Sequence, residues 1–192
     1  MGGNPGDKSE SEKTVRFSLG RVLYNKEAIG EAVKMMAGDL ERAAGNKDLT
    51  FLIILKGGSR FAHDLMSAYS GTYNYEFICV SSYGRELNSC SAVEFHHCNP
   101  DRDLVDNCNV VLVDDICDSG ATFGAVAGRI LAEFSPAQLL TCSLIWREGS
   151  GFTPDLWGFH YLGEEFLVGY GLGAGEQYRY LDEIAILNQH GE

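Results

Sequence analysis

The sequence predicts an α/β fold in which a mainly parallel sheet carries helices on both faces. Short, continuously apolar and β-branched runs at residues 50–55, 109–113 and 139–145 are typical of buried parallel strands. Between these runs the apolar residues recur at helical spacing, and glycine-rich or acidic segments follow the strands. Strands and helices that alternate in this way favour a parallel sheet with crossover helices.

The first third of the chain supplies an extended piece, a helix and the first buried strand. Residues 1–14 are rich in Gly, Ser, Glu and Lys and lack apolar periodicity, which predicts a disordered leader. An extended piece is expected near residues 16–24. The amphipathic helix that follows has its apolar positions at Ile29, Val33, Met36 and Leu40. The strand at 50–55 ends in a glycine turn at 56–59, and the residues from about Phe61 indicate another helix.

The middle of the chain continues the alternation. A third extended segment is expected at residues 75–81, followed by a polar stretch from about 82 to 106 that we interpret as a long mobile hairpin or loop. The strand at 109–113 then leads into an acidic turn at 114–120 and a helix at 122–134.

The last quarter of the chain has a different pattern. Residues 147–192 contain several short, aromatic-rich extended pieces divided by glycine, which predicts a small antiparallel lobe beside the main sheet. We therefore expect a single domain over residues 15–192. Its core would span about 25–146, and a hood would combine residues 147–192 with the N-terminal strand.

The composition indicates a soluble protein of the cytoplasm. The 192 residues are 45% hydrophobic, and no apolar run approaches the roughly 18 residues that cross a bilayer. The N-terminus lacks the apolar segment of a signal peptide, and six cysteines without a C-x-x-C pair are typical of reduced cytosolic thiols. The net charge of -12 argues against nucleic acid as a partner, because phosphate-backbone binding needs a basic surface.

A cluster of potential metal ligands occurs at His96, His97 and Cys98. Adjacent residues of an extended segment point to opposite faces, so these three side chains are not expected to converge. We therefore expect no metal site there.

The strongest chemical signal lies at residues 110–122. Three carboxylates, those of Asp114, Asp115 and Asp118, are followed by small residues between a strand and a helix. Ligands of open α/β sheets gather beyond the carboxyl ends of the strands, and a helix N-terminus presents unpaired N–H groups. The turn at 119–122 is therefore expected to hold a phosphate, while the paired acids face hydroxyl groups and a cation such as Mg²⁺. The alternative is that the acids only cap the helix and solvate a loop.

This segment also resembles a known motif. It reads Val110-Val111-Leu112-Val113-Asp114-Asp115-Ile116-Cys117-Asp118-Ser119-Gly120-Ala121-Thr122. The run is similar to the phosphoribosyl pyrophosphate (PRPP) motif of type I phosphoribosyltransferases, in which a hydrophobic strand leads to two acids, two apolar residues, an acid, Ser or Thr, Gly, any residue and Thr.

Further segments, in the order found in the family, resemble hypoxanthine-guanine phosphoribosyltransferases in particular. They are Leu55-Lys56-Gly57-Gly58, Ser81-Ser82-Tyr83-Gly84 and Glu165-Phe166-Leu167-Val168-Gly169-Tyr170-Gly171-Leu172. The resemblance covers about residues 16–188 and implies the type I phosphoribosyltransferase fold with a small hood.

The resemblance implies a role for each acid of the motif. Asp114 and Asp115 would hold the ribose hydroxyls and the Mg²⁺ that bridges them to pyrophosphate. Asp118 matches the general base for N7 of the purine. The 5-phosphate loop of the family corresponds to Ser119, Gly120, Ala121 and Thr122. Glycine in such a loop lets the backbone approach the phosphate closely.

Residues from three segments would contact pyrophosphate. By resemblance they are Lys56, Gly57, Ser82, Tyr83 and Arg179. Closure of the loop that begins at Ser82 and Tyr83 would exclude water from the activated sugar. In the family, the peptide bond that precedes the first glycine pair, here Gly57-Gly58, is often cis. For Lys56 the alternative is a solvated turn lysine, and for Arg179 it is a solvated or salt-bridged side chain.

The purine would stack on Phe166, with the backbone of Glu165 and Leu167 at the edge of the base. Burial of Phe166 in the core is the alternative. Arg147 falls where the family has a lysine that contacts the 6-oxo group. Its guanidinium can still donate to that oxygen, but its planar fork is not equivalent to an ammonium.

A second departure from the family occurs at Gly173. The family usually has an aspartate there that helps to bind the base region and a second Mg²⁺. Glu176 is a candidate replacement because it lies three residues further along.

The resemblance implies purine salvage in a homodimer or homotetramer. The reaction would be Mg²⁺-dependent transfer of the phosphoribosyl group from PRPP to N9 of hypoxanthine or guanine, with release of pyrophosphate. One alternative is a transferase for another base, xanthine or less readily uracil. The other is a regulatory protein that binds PRPP or nucleotide with weakened catalysis. The departures at Arg147 and Gly173 favour the second alternative, whereas Asp118 and Lys56 argue against it.

Overall fold

The computed structural model describes the backbone of residues 16–45, 47–83, 92–96 and 99–190. The leader predicted at residues 1–14 lies outside the described residues. In chain order the described elements are β1 (Arg16–Tyr24), α1 (Lys26–Ala44), β2 (Leu49–Leu55), α2 (Gly58–Ala68), β3 (Tyr73–Tyr83), β4 (Ala92–His96), α3 (Arg102–Val105), β5 (Asn109–Cys117), α4 (Ala121–Glu133), β6 (Gln138–Arg147), β7 (Leu156–Tyr161), β8 (Leu167–Val168) and β9 (Ile184–His190).

The main sheet has the strand order β4-β3-β2-β5-β6-β7. Its strands run parallel except for β4, which pairs antiparallel with β3. Because β2 and β5 are central and parallel, their carboxyl ends meet at one edge of the sheet, which is where ligands of such folds bind. The predicted α/β architecture is therefore confirmed.

The central strand β5 is apolar on both faces because helices cover both sides of the sheet. Val111 and Val113 belong to the core that includes residues of α1 and α2. Val110 and Leu112 belong to the core that includes residues of α4. Alternate residues of a strand face opposite sides, so a strand buried on both faces reads as a continuous apolar run.

Local signals set the ends of the long helix α1. The side chain of Asn25 accepts a hydrogen bond from the N–H of Ala28 at 2.9 Å and so caps the first turn. The helix ends at Gly45, whose φ of 63° is in the left-handed region that glycine adopts without steric cost. This helix packs against α2 and β7. None of the helices in the part of the chain described by the structure is long and apolar enough to cross a membrane.

A smaller antiparallel sheet has the strand order β1-β9-β8 and so joins the N-terminal strand to two C-terminal strands. Helix α2 anchors the segment between β8 and β9. The hydroxyl of Tyr170 donates to Asp64 at 2.5 Å, and Nη1 of Arg60 donates to the carbonyl of Leu181 at 2.8 Å. The smaller sheet is thereby held beside the carboxyl edge of the main sheet.

Two expectations about the elements need correction, and a third is confirmed in part. The core does not end near residue 146, because β7 pairs in parallel with β6 and extends the main sheet. The hairpin predicted in the polar stretch after residue 82 is present, since β4 pairs antiparallel with β3, but the stretch also contributes to the core through Val105 of α3, which is fully buried. Residues 84–91 of that stretch lie outside the described residues. Finally, β5 runs four residues past 113, because its pairing with β6 continues to Cys117↔Trp146.

Candidate active site

The acids Asp114 and Asp115 lie within β5 rather than in a turn, at the carboxyl edge of the main sheet. Both are buried, with 8% and 6% of their surfaces exposed. Burial raises the pKa of Asp114 well above its usual range, and the neighbouring Asp115 raises it further. Burial also raises the pKa of Asp115, although hydrogen bonds and the positive charge of Arg179 partly offset this rise. A cation bound between these carboxylates would favour the charged form of both.

The turn after β2 packs directly against these two acids. A Cβ atom at Gly57 would overlap the carboxylate of Asp115, and one at Gly58 would lie 3.0 Å from Cα of Asp114. Glycine at both positions is what allows this contact. The peptide bond Leu55–Lys56 is cis, so the cis bond that the resemblance implied lies immediately before the lysine.

The segment 119–122 forms the turn into α4. Gly120 is the N-cap residue, with φ of 81°, and no side chain caps the helix. The acids therefore do not cap α4, and the buried Asp114 and Asp115 do not solvate a loop either. The N-terminal N–H groups of a helix that has no side-chain cap are available to an anion. Within the turn, the N–H of Ala121 donates to the hydroxyl of Ser119 at 3.3 Å, so this N–H would exchange the hydroxyl for an anion on binding.

Phe152 packs against this turn, a contact that the sequence did not indicate. A Cβ atom at Gly120 would lie 2.5 Å from Cβ of Phe152, and the ring of Phe152 stacks on Phe123 of α4 at 5.5 Å. The carbonyl of Ser119 also accepts a hydrogen bond from the N–H of Gly151 at 3.0 Å. A sequence signal for this packing would be hard to find, because it depends on a loop about thirty residues further along.

Asp118, the predicted general base, is paired with Arg147 at the end of β6. Nε of Arg147 donates to Oδ1 of Asp118. The Asp118 side chain is 62% exposed, whereas only 15% of the Arg147 side chain is exposed. The structure therefore brings the predicted general base, Asp118, into contact with Arg147, the residue predicted to bind the 6-oxo group of the purine.

The remaining contacts of Arg147 lie on the segment that was predicted to bind the purine. Nη1 donates to the carbonyl of Gly163, and Nη2 donates to the carbonyl of Glu165 at 3.1 Å. The guanidinium carbon lies 5.1 Å from the centre of the Tyr161 ring. Gly163 and Tyr161 were not singled out from the sequence, because these contacts require β7 to be the neighbour of β6.

The predicted purine-binding residues differ in exposure. Phe166 is 56% exposed, so the alternative in which it is a core residue is wrong, whereas Leu167 is buried. The carboxylate of Glu165 accepts a hydrogen bond from the hydroxyl of Tyr161 at 2.6 Å, which lowers the pKa of Glu165. Phe166 is therefore exposed and directly follows Glu165, whose carbonyl accepts a hydrogen bond from Arg147.

Lys56 is salt-bridged to Glu176, with 2.9 Å between Nζ and Oε1. The hydrogen bond from Lys56 and its positive charge lower the pKa of Glu176. Both side chains are mostly exposed, so the pair contributes little to stability. Glu176 thus approaches the candidate pyrophosphate site from the loop that follows β8.

Arg179 holds that loop together. Its Nη1 donates to the carbonyl of Gly171 at 2.7 Å and its Nη2 to that of Gly175 at 3.1 Å. Its Nε is buried and has no hydrogen-bond partner among the described residues. An unpartnered buried donor is costly in free energy, so a bound acceptor at this point would be stabilised.

Several predicted features lie wholly or partly outside the described residues. The backbone of Ser82 and Tyr83 pairs with Val93 and Ala92, but nothing can be said of their side chains. His97 and Cys98 of the potential metal cluster are also outside. Among the residues that are described, no group of three or more His, Cys, Asp or Glu is arranged to hold a metal.

Cys117 is the cysteine inside the acidic motif. Burial raises the pKa of its thiol to about 11, so the thiol is protonated near neutral pH. Its Sγ contacts the carbonyl of Phe152 at 3.5 Å. A buried, protonated thiol is a poor nucleophile.

Known proteins resemble this chain in both sequence and structure. Residues 21–165 match the phosphoribosyl transferase domain. The hypoxanthine-guanine phosphoribosyltransferase of Aquifex aeolicus is 32% identical, over 90% of this chain and 97% of its own. The enzyme of that name from Mycobacterium avium is 31% identical, over 96% and 88%.

Solved structures agree with the sequence relatives. The crystal structure of a hypoxanthine-guanine phosphoribosyltransferase from Bacillus anthracis has a TM-score of 0.80 at 28% identity, covering 90% of this chain and 100% of that one. A hypoxanthine phosphoribosyltransferase from Trypanosoma cruzi has a TM-score of 0.79 at 26% identity, covering 88% and 96%. The chain therefore belongs to the hypoxanthine-guanine phosphoribosyltransferase family, within the type I phosphoribosyltransferases.

Proposed function

We propose that the protein is a purine-salvage enzyme that transfers the phosphoribosyl group of PRPP to N9 of hypoxanthine or guanine. The observation that carries the proposal is the placement of Asp118. This carboxylate lies between the turn at residues 119–122 and Arg147, which contacts the purine-binding segment. The names of the relatives from Aquifex aeolicus and Mycobacterium avium support the same reaction.

The sugar phosphate would bind along the end of β5 and the start of α4. The 5-phosphate would accept hydrogen bonds from the N–H groups of the turn that contains Gly120 and Ala121, with the hydroxyls of Ser119 and Thr122 beside it. The ribose hydroxyls would donate to Asp114 and Asp115, because ionised carboxylates are acceptors only. The ribose hydroxyls would thus supply hydrogen-bond donors to the buried carboxylates of Asp114 and Asp115.

The donor set at Asp114 and Asp115 fits Mg²⁺. This ion is usually bound through one or two carboxylates together with substrate phosphates and waters, rather than by a full protein cage. When bound, it would offset the negative charge that develops on the departing pyrophosphate. It would also explain why two adjacent carboxyl groups are retained at a buried edge that raises the pKa of each.

Pyrophosphate would lie over the turn at Lys56 and Gly57, opposite Arg179. The buried Nε of Arg179 would donate to one phosphoryl oxygen. The ammonium of Lys56 would leave Glu176 and bind a second phosphoryl oxygen. Ser82 and Tyr83 begin the segment that would close over the site and exclude water.

The chemical step joins N9 of the base to the anomeric carbon of the ribose as the bond from that carbon to the pyrophosphate oxygen breaks. Asp118 accepts the proton that the purine loses from N7. Phe166 stacks on the base, and the backbone at Glu165 and Leu167 faces its edge. Two of the five N–H groups of Arg147 remain for the 6-oxo oxygen after its three contacts within the protein.

We also propose that the enzyme works in the cytoplasm as a homodimer or homotetramer. Cys108, Cys117 and Cys142 are thiols rather than disulfides, which supports a reducing compartment. Tyr75 and Phe77 of β3 are exposed neighbours on one strand face, which supports self-association through that face.

The proposed activity is tested with purified protein, PRPP, Mg²⁺ and single bases. We expect nucleotide and pyrophosphate to form in equal amounts with hypoxanthine or guanine. Binding of PRPP without nucleotide formation from any base would instead identify a regulatory protein. Nucleotide formation from xanthine or uracil alone would assign the chain to another base.

A further inference from the structure

The side chain of Arg147 joins three parts of the candidate site that are distant in sequence. Asp118 follows β5, Gly163 follows β7, and Glu165 precedes β8. One guanidinium donates to all three, through Nε, Nη1 and Nη2 respectively. Its plane is further held by the ring of Tyr161, 5.1 Å from the guanidinium carbon.

We propose that Arg147 is a positioning residue that fixes Asp118 against the purine-binding segment before the purine arrives. This inference rests on the proposed function and deepens it. Arg147 acts through Asp118. Its hydrogen bonds to the carbonyls of Gly163 and Glu165 fix the guanidinium in the orientation in which it binds Asp118. Recognition of the 6-oxo group through its remaining N–H groups is compatible with this role but is not required for it.

The exposure of Asp118 explains why it needs a positioning residue. Its side chain is 62% exposed, so without a fixed partner the carboxylate would sample several rotamers in water. The bond from Nε of Arg147 holds Oδ1 and leaves Oδ2 to accept the N7 proton. Efficient proton transfer requires the base to lie within hydrogen-bond reach of the proton, so a loss of orientation reduces turnover.

The guanidinium is suited to this role in a way that an ammonium is not. Its donors point in fixed directions in one plane, whereas the ammonium of lysine is a compact point charge. A lysine at residue 147 would keep the positive charge near Asp118 but could not reach the two carbonyls in the same plane. The substitution Arg147→Lys restores the residue that the family has at this position while keeping the positive charge. It therefore tests whether this chain depends on the orientation that the arginine supplies to Asp118 or on charge alone.

The first experiment compares Arg147→Lys with a matched control, Arg129→Lys. Arg129 lies on α4 away from the site and also has several partners, since its Nε donates to Glu133 at 3.0 Å and its Nη2 to Asn99 at 2.7 Å. We expect Arg147→Lys to lower kcat about tenfold or more while the Kd for PRPP changes by less than about twofold, and Arg129→Lys to change neither. An unchanged kcat in Arg147→Lys would overturn the proposal, because charge alone would then suffice.

The second experiment asks whether Arg147 acts through Asp118. The kcat values of Arg147→Lys, Asp118→Asn and the double variant form a double-mutant cycle. We expect Arg147→Lys to cost little further kcat once Asp118 is asparagine. Fully additive losses would overturn the proposal, because Arg147 would then act independently of the carboxylate.

Two further readouts keep the outcomes distinct. A merely structural role would lower the Tm and the PRPP affinity of Arg147→Lys together with its kcat, and that result would also overturn the proposal. If the unsubstituted protein forms no nucleotide from hypoxanthine or guanine, the proposed function itself fails. If the unsubstituted protein is active and the cycle is additive, only the role of Arg147 fails.

Discussion

Arg179 lies directly over the backbone of Gly173, so that a Cβ atom at residue 173 would be 2.8 Å from Cγ and 2.9 Å from Nε of the arginine. Gly173, which departs from the family pattern, is therefore in contact with Arg179, a residue that was predicted to bind pyrophosphate. Any side chain at residue 173 requires Arg179 to move from the position in which it bonds Gly171 and Gly175.

Substitution of Gly173 should consequently weaken PRPP binding. We expect Gly173→Ala and Gly173→Asp both to raise the Kd for PRPP roughly tenfold, the effect of losing one hydrogen bond to a charged group. The aspartate adds a carboxylate that the alanine lacks, so only Gly173→Asp should change the Mg²⁺ dependence or the preference between guanine and hypoxanthine. Calorimetric titration and kcat/KM over a Mg²⁺ series measure these effects. A Gly173→Ala variant that binds PRPP like the parent would contradict the placement of Arg179.

Replacement of Asp118 by asparagine should separate turnover from binding. The amide keeps the shape of the side chain but cannot accept the N7 proton, so we expect kcat to fall by about 10² to 10⁴-fold. The Kd for PRPP should change little, because the phosphate turn and the paired acids are not altered. Single-turnover kinetics together with calorimetry measure the two quantities. Unchanged turnover would remove Asp118 from the mechanism.

Substitution of the paired acids should instead weaken the binding of PRPP. We expect the double substitution Asp114→Asn with Asp115→Asn to abolish the Mg²⁺-dependent part of PRPP binding, because the neutral amides remove both negative charges that would attract Mg²⁺. The measurement is calorimetric titration with PRPP in the presence of Mg²⁺ and after its removal by a chelator. Equal affinities in the double variant and the parent would leave the two acids without a role in metal binding.

The ion pair between Lys56 and Glu176 makes a prediction of its own. Glu176→Gln frees the ammonium of Lys56 and removes a negative charge beside the candidate pyrophosphate site. We expect inorganic pyrophosphate to bind about two- to fivefold more tightly without Mg²⁺, as is appropriate for an exposed pair.

The control for this variant is Glu133→Gln, which breaks a comparable pair with Arg129 on α4. If Glu176 instead replaces the aspartate missing at residue 173 as a metal ligand, Glu176→Gln will weaken binding of pyrophosphate with Mg²⁺. That result would contradict a role limited to pairing with Lys56.

The sequence predicted those parts of the fold and the site that depend on local pattern. Strands β2 and β5 were predicted because both of their faces are buried, which makes their sequences continuously apolar. Strand β4 was not assigned, because its short sequence alternates polar residues with Val93 and Phe95 within a longer polar stretch.

The contacts between distant residues were beyond sequence reasoning. Arg147 was expected to face the purine alone, yet its partners Asp118 and Gly163 are 29 and 16 residues away and are adjacent only because β5, β6 and β7 are neighbours. The contact between Gly173 and Arg179 likewise depends on the left-handed backbone at Gly171 and Gly175, which the sequence does not specify uniquely.

The central claim is tested most directly by measuring kcat/KM for hypoxanthine, guanine, xanthine and adenine with PRPP and Mg²⁺. We predict efficient use of hypoxanthine or guanine. Adenine should be a poor substrate, because its 6-amino group would place a donor against the remaining N–H donors of Arg147, at a cost of roughly 1 to 3 kcal/mol. Use of adenine as efficiently as hypoxanthine, or failure to form nucleotide from either 6-oxopurine, would contradict the account.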